Sequence, residues 1–236
     1  MNTLGIVPAR GGSKRVPRKN LQDLSGKPLV DWVIEAGLGA RRIDTLALSS
    51  DDDEILRRAD SYPKLVPLRR PAELATDTAP AIDYVRHALT VFERDGVHFD
   101  AVVILQPSSP LTLPEDIDAT VGLLEQSGAE SAVSVVLVDH WIHPSKLKLM
   151  QGDRLVPYLK EEEGRMAAHA LEQVYVRNCS VYVARRSAIE RGLIVTEECR
   201  GYVMPRERSV DINSELDLAF ARFLLEQQRS EARGKL

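Results

Sequence analysis

What this chain lacks narrows it quickly. Two cysteines in 236 residues, Cys179 and Cys199, cannot make the framework of a disulfide-stapled scaffold. Cys179 lies inside an apolar run, and both are read as reduced and structural. No apolar run approaches the ~20 residues of a membrane-spanning helix. Residues 3–9 are too short for a signal-peptide core and have no basic region before them. A cytoplasmic location and no membrane partner are therefore expected. There is no Pro/Gly/Ser linker, internal repeat or break in composition, so one domain is expected. An excess of positive charge is also missing: the formal net charge is −4, which excludes a general nucleic-acid binder that must neutralise phosphates over a broad face. With 44% hydrophobic and 28% charged residues the chain has enough apolar side chains for a core, and disorder is excluded.

What is present is concentrated at the start. A short apolar run, residues 4–9, leads into Arg10-Gly11-Gly12-Ser13-Lys14-Arg15 and on to Arg18-Lys19-Asn20. Gly11 and Gly12 carry no side chain, so backbone N–H groups can approach anionic oxygens, while five cations within ten residues neutralise charge. Such a loop is built to hold a polyphosphate. Neither the Walker pattern nor Gly-x-Gly-x-x-Gly is there. A solvated basic loop is the competing reading, and the placement straight after a buried strand speaks for the phosphate site.

Short apolar runs alternate with segments of helical period, the pattern of parallel strands covered on both faces. Strands are expected at 4–9, 46–49, 101–105, 132–138 and 181–184. One helix is expected around Leu29, Trp32, Val33 and Ala36, another through Ile82, Val85, Leu89 and Phe92. Thr112 and Glu115 read as a capping box that opens a helix carrying Ile117, Val121 and Leu124. A last helix from Ser214 is expected to turn Leu216, Phe220, Phe223 and Leu224 inward and to fray from Arg229. The fold class is α/β, a single doubly wound, mostly parallel sheet. Ligands then bind beyond the carboxyl ends of the strands, where the basic loop, Ser49-Ser50-Asp51-Asp52 and Gln106-Pro107-Ser108-Ser109 converge.

The loop is followed, in order, by Arg70-Pro71-Ala72-Glu73-Leu74-Ala75-Thr76-Asp77-Thr78-Ala79, Leu105-Gln106-Pro107-Ser108-Ser109-Pro110-Leu111, Val174-Tyr175-Val176-Arg177-Asn178 and Ser209-Val210-Asp211-Ile212-Asn213. Together these span nearly the whole chain, which resembles the acylneuraminate cytidylyltransferase family, including the CMP-sialic acid synthetases. The resemblance implies a Rossmann-like fold of the nucleotide-diphospho-sugar transferase type over residues 1–228. It also implies a homodimer formed through a protruding arm at about 139–170, with 229–236 as a tail. Lys160-Glu161-Glu162-Glu163 within that arm reads equally well as an exposed turn.

The activity implied is in-line attack by the anomeric hydroxyl of a sugar acid on the α-phosphorus of CTP, with Mg²⁺ as cofactor and CTP and a small anionic sugar acid as partners. Arg10 and Lys19 would hold and polarise the phosphates, supported by Ser13 and Lys14. Ala9, Gly11, Gly12 and Asn20 complete the loop, and Arg70 and Ala81 lie toward the base. Gln106 would touch both ligands, and Lys146, Tyr175, Arg177 and Asn178 the acceptor. Asp211 and Asn213 would ligate the metal, with Asn213 or Ser214 capping the last helix as the competing account.

Three positions depart from the family pattern: Asn213 replaces a carboxylate, Ala81 a hydroxyl and Val176 an arginine. Arg177 stands beside Val176, but on a strand it faces the other way. These departures keep other readings open. One is a cytidylyl- or guanylyltransferase for legionaminic, pseudaminic or Kdo-like acids or a phosphonate; another is a nucleotide-binding protein without catalysis. Asp139, His140 and His143 lack the further ligands of a zinc site, and Ser108-Ser109 lacks a nucleophile elbow.

Overall fold

A computed structural model describes residues 1–159 and 171–234. Its centre is a seven-stranded sheet, built on three strands that the apolar runs forecast: β1 (Thr3–Pro8), β4 (Thr45–Ser50) and β6 (Ala101–Leu105). β1 lies between β4 and β6 and is parallel to both. Alternation along each strand feeds two cores. Val7, Leu48, Val103 and Leu105 pack under helices α1 (Leu29–Gly39) and α4 (Pro114–Ser127). Leu4, Ile6, Val102 and Ile104 pack under α3 (Ala81–Arg94) and α5 (Arg186–Glu190). Each fully buried Leu or Ile contributes roughly 1.5–3 kcal/mol. Gly37 lets α1 sit close to the sheet: a Cβ there would come within 2.9 Å of Leu105 and Leu46 side-chain atoms.

Beyond β4 the sheet continues with β5 (Leu65–Arg69). On the other side β10 (Tyr175–Arg185) runs antiparallel to β6 and to β7 (Ser131–Leu137), and β11 (Arg200–Val203) closes the edge parallel to β7. The sheet is thus mostly parallel with one reversed strand. Two small hairpins complete the strands, β2 (Asp23–Leu24) with β3 (Lys27–Pro28) and β8 (Lys148–Gln151) with β9 (Arg154–Pro157). α2 (Asp53–Leu56) is a single turn capped by Asp52, whose carboxylate accepts from the Glu54 and Ile55 amides.

The structure corrects three sequence expectations. The box at α4 is one residue later than expected, with Asp116 Oδ2 accepting from the Leu113 amide at 3.0 Å. The Thr112 hydroxyl donates instead to the Ser109 carbonyl. The last helix, α6 (Glu215–Gly234), continues through the stretch expected as a tail; residues 235–236 lie outside the described residues. Its inward face also differs. Leu218, Ala221 and Leu225 are buried with Leu24, Leu29 and Ile212, whereas Leu216, Phe220 and Phe223 are exposed. Polar anchors set this rotation: Arg222 donates to the Asp23 carbonyl at 2.7 Å and Arg229 to the Ser25 carbonyl at 3.0 Å.

Candidate active site

At the carboxyl ends of β1, β4 and β6 the chain encloses an open pocket of about 640 Å³. Arg10, Ser13, Lys14, Lys19, Asn20, Arg70, Ala81, Gln106 and Asn213, all expected at the site, line it together. Of the charged lining residues Arg10, Lys14, Arg15, Lys19 and Arg70 are cationic and only Asp77 is anionic. The cavity is therefore suited to a ligand with several negative charges.

The loop's shape follows from a few short-range bonds. The Ala9 amide donates to the Ser49 carbonyl at 2.9 Å, and the Gly11 amide to Asp51 Oδ1 at 2.9 Å. Gly11 has to be glycine, because a Cβ would lie 2.8 Å from Cβ and Oδ2 of Asp52, the residue that caps α2. Asn20 is buried and donates from Nδ2 to the Arg10 carbonyl at 2.9 Å, tying the loop's end to its start. Arg18, at φ 50°, turns the backbone through the left-handed region, costing about 1 kcal/mol. Its guanidinium reaches Glu54 at 2.6 Å.

Lys19 joins the loop to the other end of the chain, donating from Nζ to the Ile212 carbonyl at 2.7 Å. Burial lowers its pKa; neighbouring Asp211 opposes this, and Arg15 and Arg10 reinforce it. Beside it, Asn213 accepts from Arg15 at 3.2 Å through Oδ1 and donates to Asp211 Oδ2 at 2.7 Å. Ser214 and Asp217 form the cap of α6, with Asp217 Oδ2 accepting from the Asn213 and Ser214 amides at 2.9 and 2.8 Å. The cap frees the Asp211 and Asn213 side chains from capping.

Among the described residues no group of three or more His, Cys, Asp or Glu side chains could hold a metal ion. Mg²⁺ usually takes one or two carboxylates and completes its shell with substrate phosphates and water. Asp211, which does not line the pocket itself, and Asn213, whose Oδ1 accepts from Arg15, would supply only part of such a set, with phosphate and water as the remainder.

Arg70 is buried at the end of β5. Its Nη2 donates to the Ser49 carbonyl at 2.7 Å and its Nε to Ser49 Oγ at 3.1 Å. Ala81 opens α3 beside it.

The residues expected at the acceptor do not all reach the pocket lining. Asn178 is buried, its Oδ1 accepting from Ser134 Oγ at 2.6 Å and its Nδ2 donating to Ser209 Oγ at 2.9 Å. It holds a bulge of β10, where Cys179 adopts φ 62°, against the segment leading to Asp211. Tyr175 and Arg177 are exposed further along β10, and the Tyr175 hydroxyl donates to Gln173 at 3.0 Å. Lys146 lies next to His140, and His143 is buried against Ser145 and the Glu172 carbonyl.

Sequence reasoning did not single out Asp77 or Tyr84, and took Arg15 only as one of the loop's five cations. Asp77 pairs with Arg10 at 2.7 Å and with Lys14, which together hold its carboxyl below the ordinary value. Tyr84 stands two residues after Ile82, off the apolar stripe of α3, so the periodicity did not mark it, although it is buried in the same cluster as Val85 and Ala88.

Comparisons with known proteins agree with this geometry. A family profile described as cytidylyltransferase matches residues 4–229. The CMP-N,N'-diacetyllegionaminic acid synthase of Legionella pneumophila is 33% identical over 231 residues, covering 96% of this chain and 97% of that protein. The pseudaminic acid cytidylyltransferase of Campylobacter jejuni is 28% identical over 233 residues, covering 98% of this chain and 100% of that protein. Among solved structures, a CMP:2-keto-3-deoxy-manno-octonic acid synthetase complexed with CTP matches with a TM-score of 0.68 at 18% identity. That match covers 97% of this chain and 100% of the other and speaks for the fold.

Proposed function

The chain belongs to the cytidylyltransferase family and is a nucleotidyltransferase; from that premise we propose that its pocket transfers CMP from CTP to the anomeric hydroxyl of a nonulosonic acid and releases pyrophosphate. The observation that carries this reading is the convergence of the basic loop, Arg70, Gln106 and Asn213 on one cavity. The loop takes the triphosphate: Arg10 and Lys14 bring charge, and the backbone around Ser13 brings N–H donors, while the Gly11 amide is held by Asp51. Lys19, anchored between loop and α6, faces the oxygens on which charge grows as pyrophosphate departs. A preorganised contact of this kind is worth about 2–4 kcal/mol in the transition state. Arg70 lies toward the base and Gln106 between the two ligands. Asp211 and Asn213 would hold Mg²⁺, which neutralises phosphate charge when bound. Names of the relatives support a legionaminic-type or pseudaminic-type acid as acceptor.

The same reading includes a homodimer and a cytoplasmic location. The β8–β9 hairpin, in the region expected as the arm, exposes Leu149, Met150 and Leu155. Apolar side chains placed so are those a second copy would cover. The rest of that region, residues 160–170 with Lys160 to Glu163, lies outside the described residues. Among described residues no helix is long and apolar enough to cross a membrane.

The test is pyrophosphate release with Mg²⁺, crossing CTP, UTP, GTP and ATP against legionaminic, pseudaminic, sialic and Kdo-type acids and small phosphonates. Release with CTP and a nine-carbon acid is expected. Release only with another nucleotide, or silence throughout, overturns the reading. Light scattering of the native protein and of a Leu149→Asp, Leu155→Asp variant tests the dimer, with a monomeric variant expected.

A further inference from the structure

Tyr84 is buried at the pocket wall, in the first turn of α3, and touches two residues of the nucleotide site from opposite ends. Its ring lies beneath the Arg70 guanidinium, whose Cζ is 4.6 Å from the ring centroid. Arg70 has no carboxylate in ion-pair range among the described residues; the Ser49 oxygens and the Tyr84 π-face lie against its guanidinium, and Asp51 and Arg10 act on it from further away. A cation over an aromatic face is attracted by the ring quadrupole, more strongly where water is excluded. At the other end the Tyr84 hydroxyl is shielded from water, has no hydrogen-bond partner of good geometry, and lies beside the Gln106 side chain. A buried hydroxyl without a partner is uncommon and favours whatever rearrangement satisfies it.

A neutral phenol can donate as well as accept; burial pushes this one up to about 12 against the lowering influence of Arg70 and of the Gln106 side chain, so it keeps the proton it would donate. The group within its reach is the Gln106 carboxamide, which offers one acceptor, Oε1, and one donor group, Nε2. If Oε1 turns to the Tyr84 hydroxyl, Nε2 is left for the pocket. Gln106 then selects a hydrogen-bond acceptor on the ligand, such as a base carbonyl or a carboxylate oxygen, and disfavours a donor.

We propose that Tyr84 is a positioning residue for specificity, which fixes the Arg70 guanidinium with its ring and the orientation of the Gln106 amide with its hydroxyl. The proposal rests on the reading of the pocket as a CTP and sugar-acid site. It adds a residue that neither the family pattern nor the periodicity of α3 marked.

Two variants separate the two contacts. Tyr84→Phe keeps the ring and the packing, and Tyr84→Leu removes the ring. Calorimetric binding of CTP and UTP, with thermal melts as a fold control, reads the effect without requiring turnover. For Tyr84→Phe we expect an unchanged melting temperature, and a combined binding or KM loss of about fivefold, the worth of one ordinary hydrogen bond. That loss should vanish in a Gln106→Ala background. Tyr84→Leu should weaken CTP binding further, non-additively with Arg70→Ala.

Wild-type constants in Tyr84→Phe, or strictly additive losses with Gln106→Ala, overturn the proposal. A wild-type protein that binds CTP without turnover leaves this test intact and counts against the proposed reaction instead. A wild-type protein that binds no pyrimidine nucleotide overturns both.

Discussion

Arg10 Nη2 lies 2.7 Å from Asp77 Oδ1, and Lys14 meets the other carboxylate oxygen. The acid so placed sits where the charges of the loop would meet a triphosphate. It preorders the loop and competes with the nucleotide at the same time.

Asp77→Asn removes the competing charge. We expect tighter CTP binding, by several-fold at low salt, with the gain shrinking as ionic strength rises because the contact is exposed. Titration calorimetry at two salt concentrations checks it, and weaker binding at both would show that ordering the loop is the larger effect.

Lys19 should set the alkaline limit of activity. Burial disfavours its charged form, so in the folded enzyme the proton leaves below the ordinary 10.5. Its charge is lost as pH rises through the lowered value. A profile of kcat/KM, which reports the free enzyme, should therefore fall on its alkaline side below 10.5. Lys19→Arg should move that fall to higher pH, and Lys19→Ala should abolish turnover with the fold intact.

Asp211→Ala is expected to abolish turnover and leave the melting temperature close to that of the native protein, because the cap of α6 is made by Ser214 and Asp217. Asn213→Asp should lower the Mg²⁺ concentration needed for half-maximal rate, since a second carboxylate adds charge to the donor set. Full activity of Asp211→Ala would remove that residue from the reaction.

Asp116→Ala is the severe stability test. Its carboxylate is fully buried, receives Arg208 through Nη2 at 2.6 Å and Nε at 3.0 Å, and also caps α4. Removing it leaves Arg208, itself mostly buried, without its charge partner, a loss of about 3–5 kcal/mol. Urea unfolding followed by circular dichroism measures this, and Asp116→Asn should fall between the two.

The residues expected at the nucleotide that line the pocket were legible because their signals are local. Gly11 and Gly12 after an apolar strand, with five cations close in sequence, describe a phosphate loop without knowledge of any other segment. Arg70 and Gln106 follow strands that end on one rim, and the rim is a consequence of parallel winding. The acceptor half was not legible in the same way. Asn178 lies in a motif, yet its amide is engaged by Ser134 and Ser209, which are far from it in sequence. The outward turn of Leu216, Phe220 and Phe223 was hidden because α6 carries apolar residues on more than one face. Contacts to Asp23 and Ser25, nearly the chain's length away, select among them.

By itself the sequence determined the α/β class, the strand-to-loop junction at Arg10 and the family to which the chain belongs. The first two rest on periodicity and residue type, which act over a few neighbours; the family rests on motifs that resemble its own in order along nearly the whole chain. The tertiary structure alone decided that Asp77 would neutralise the loop, that Tyr84 would lie under Arg70, and that Lys19 would reach Ile212. Each depends on which surfaces meet when the two faces of the sheet are covered, and that packing is settled by the whole chain at once.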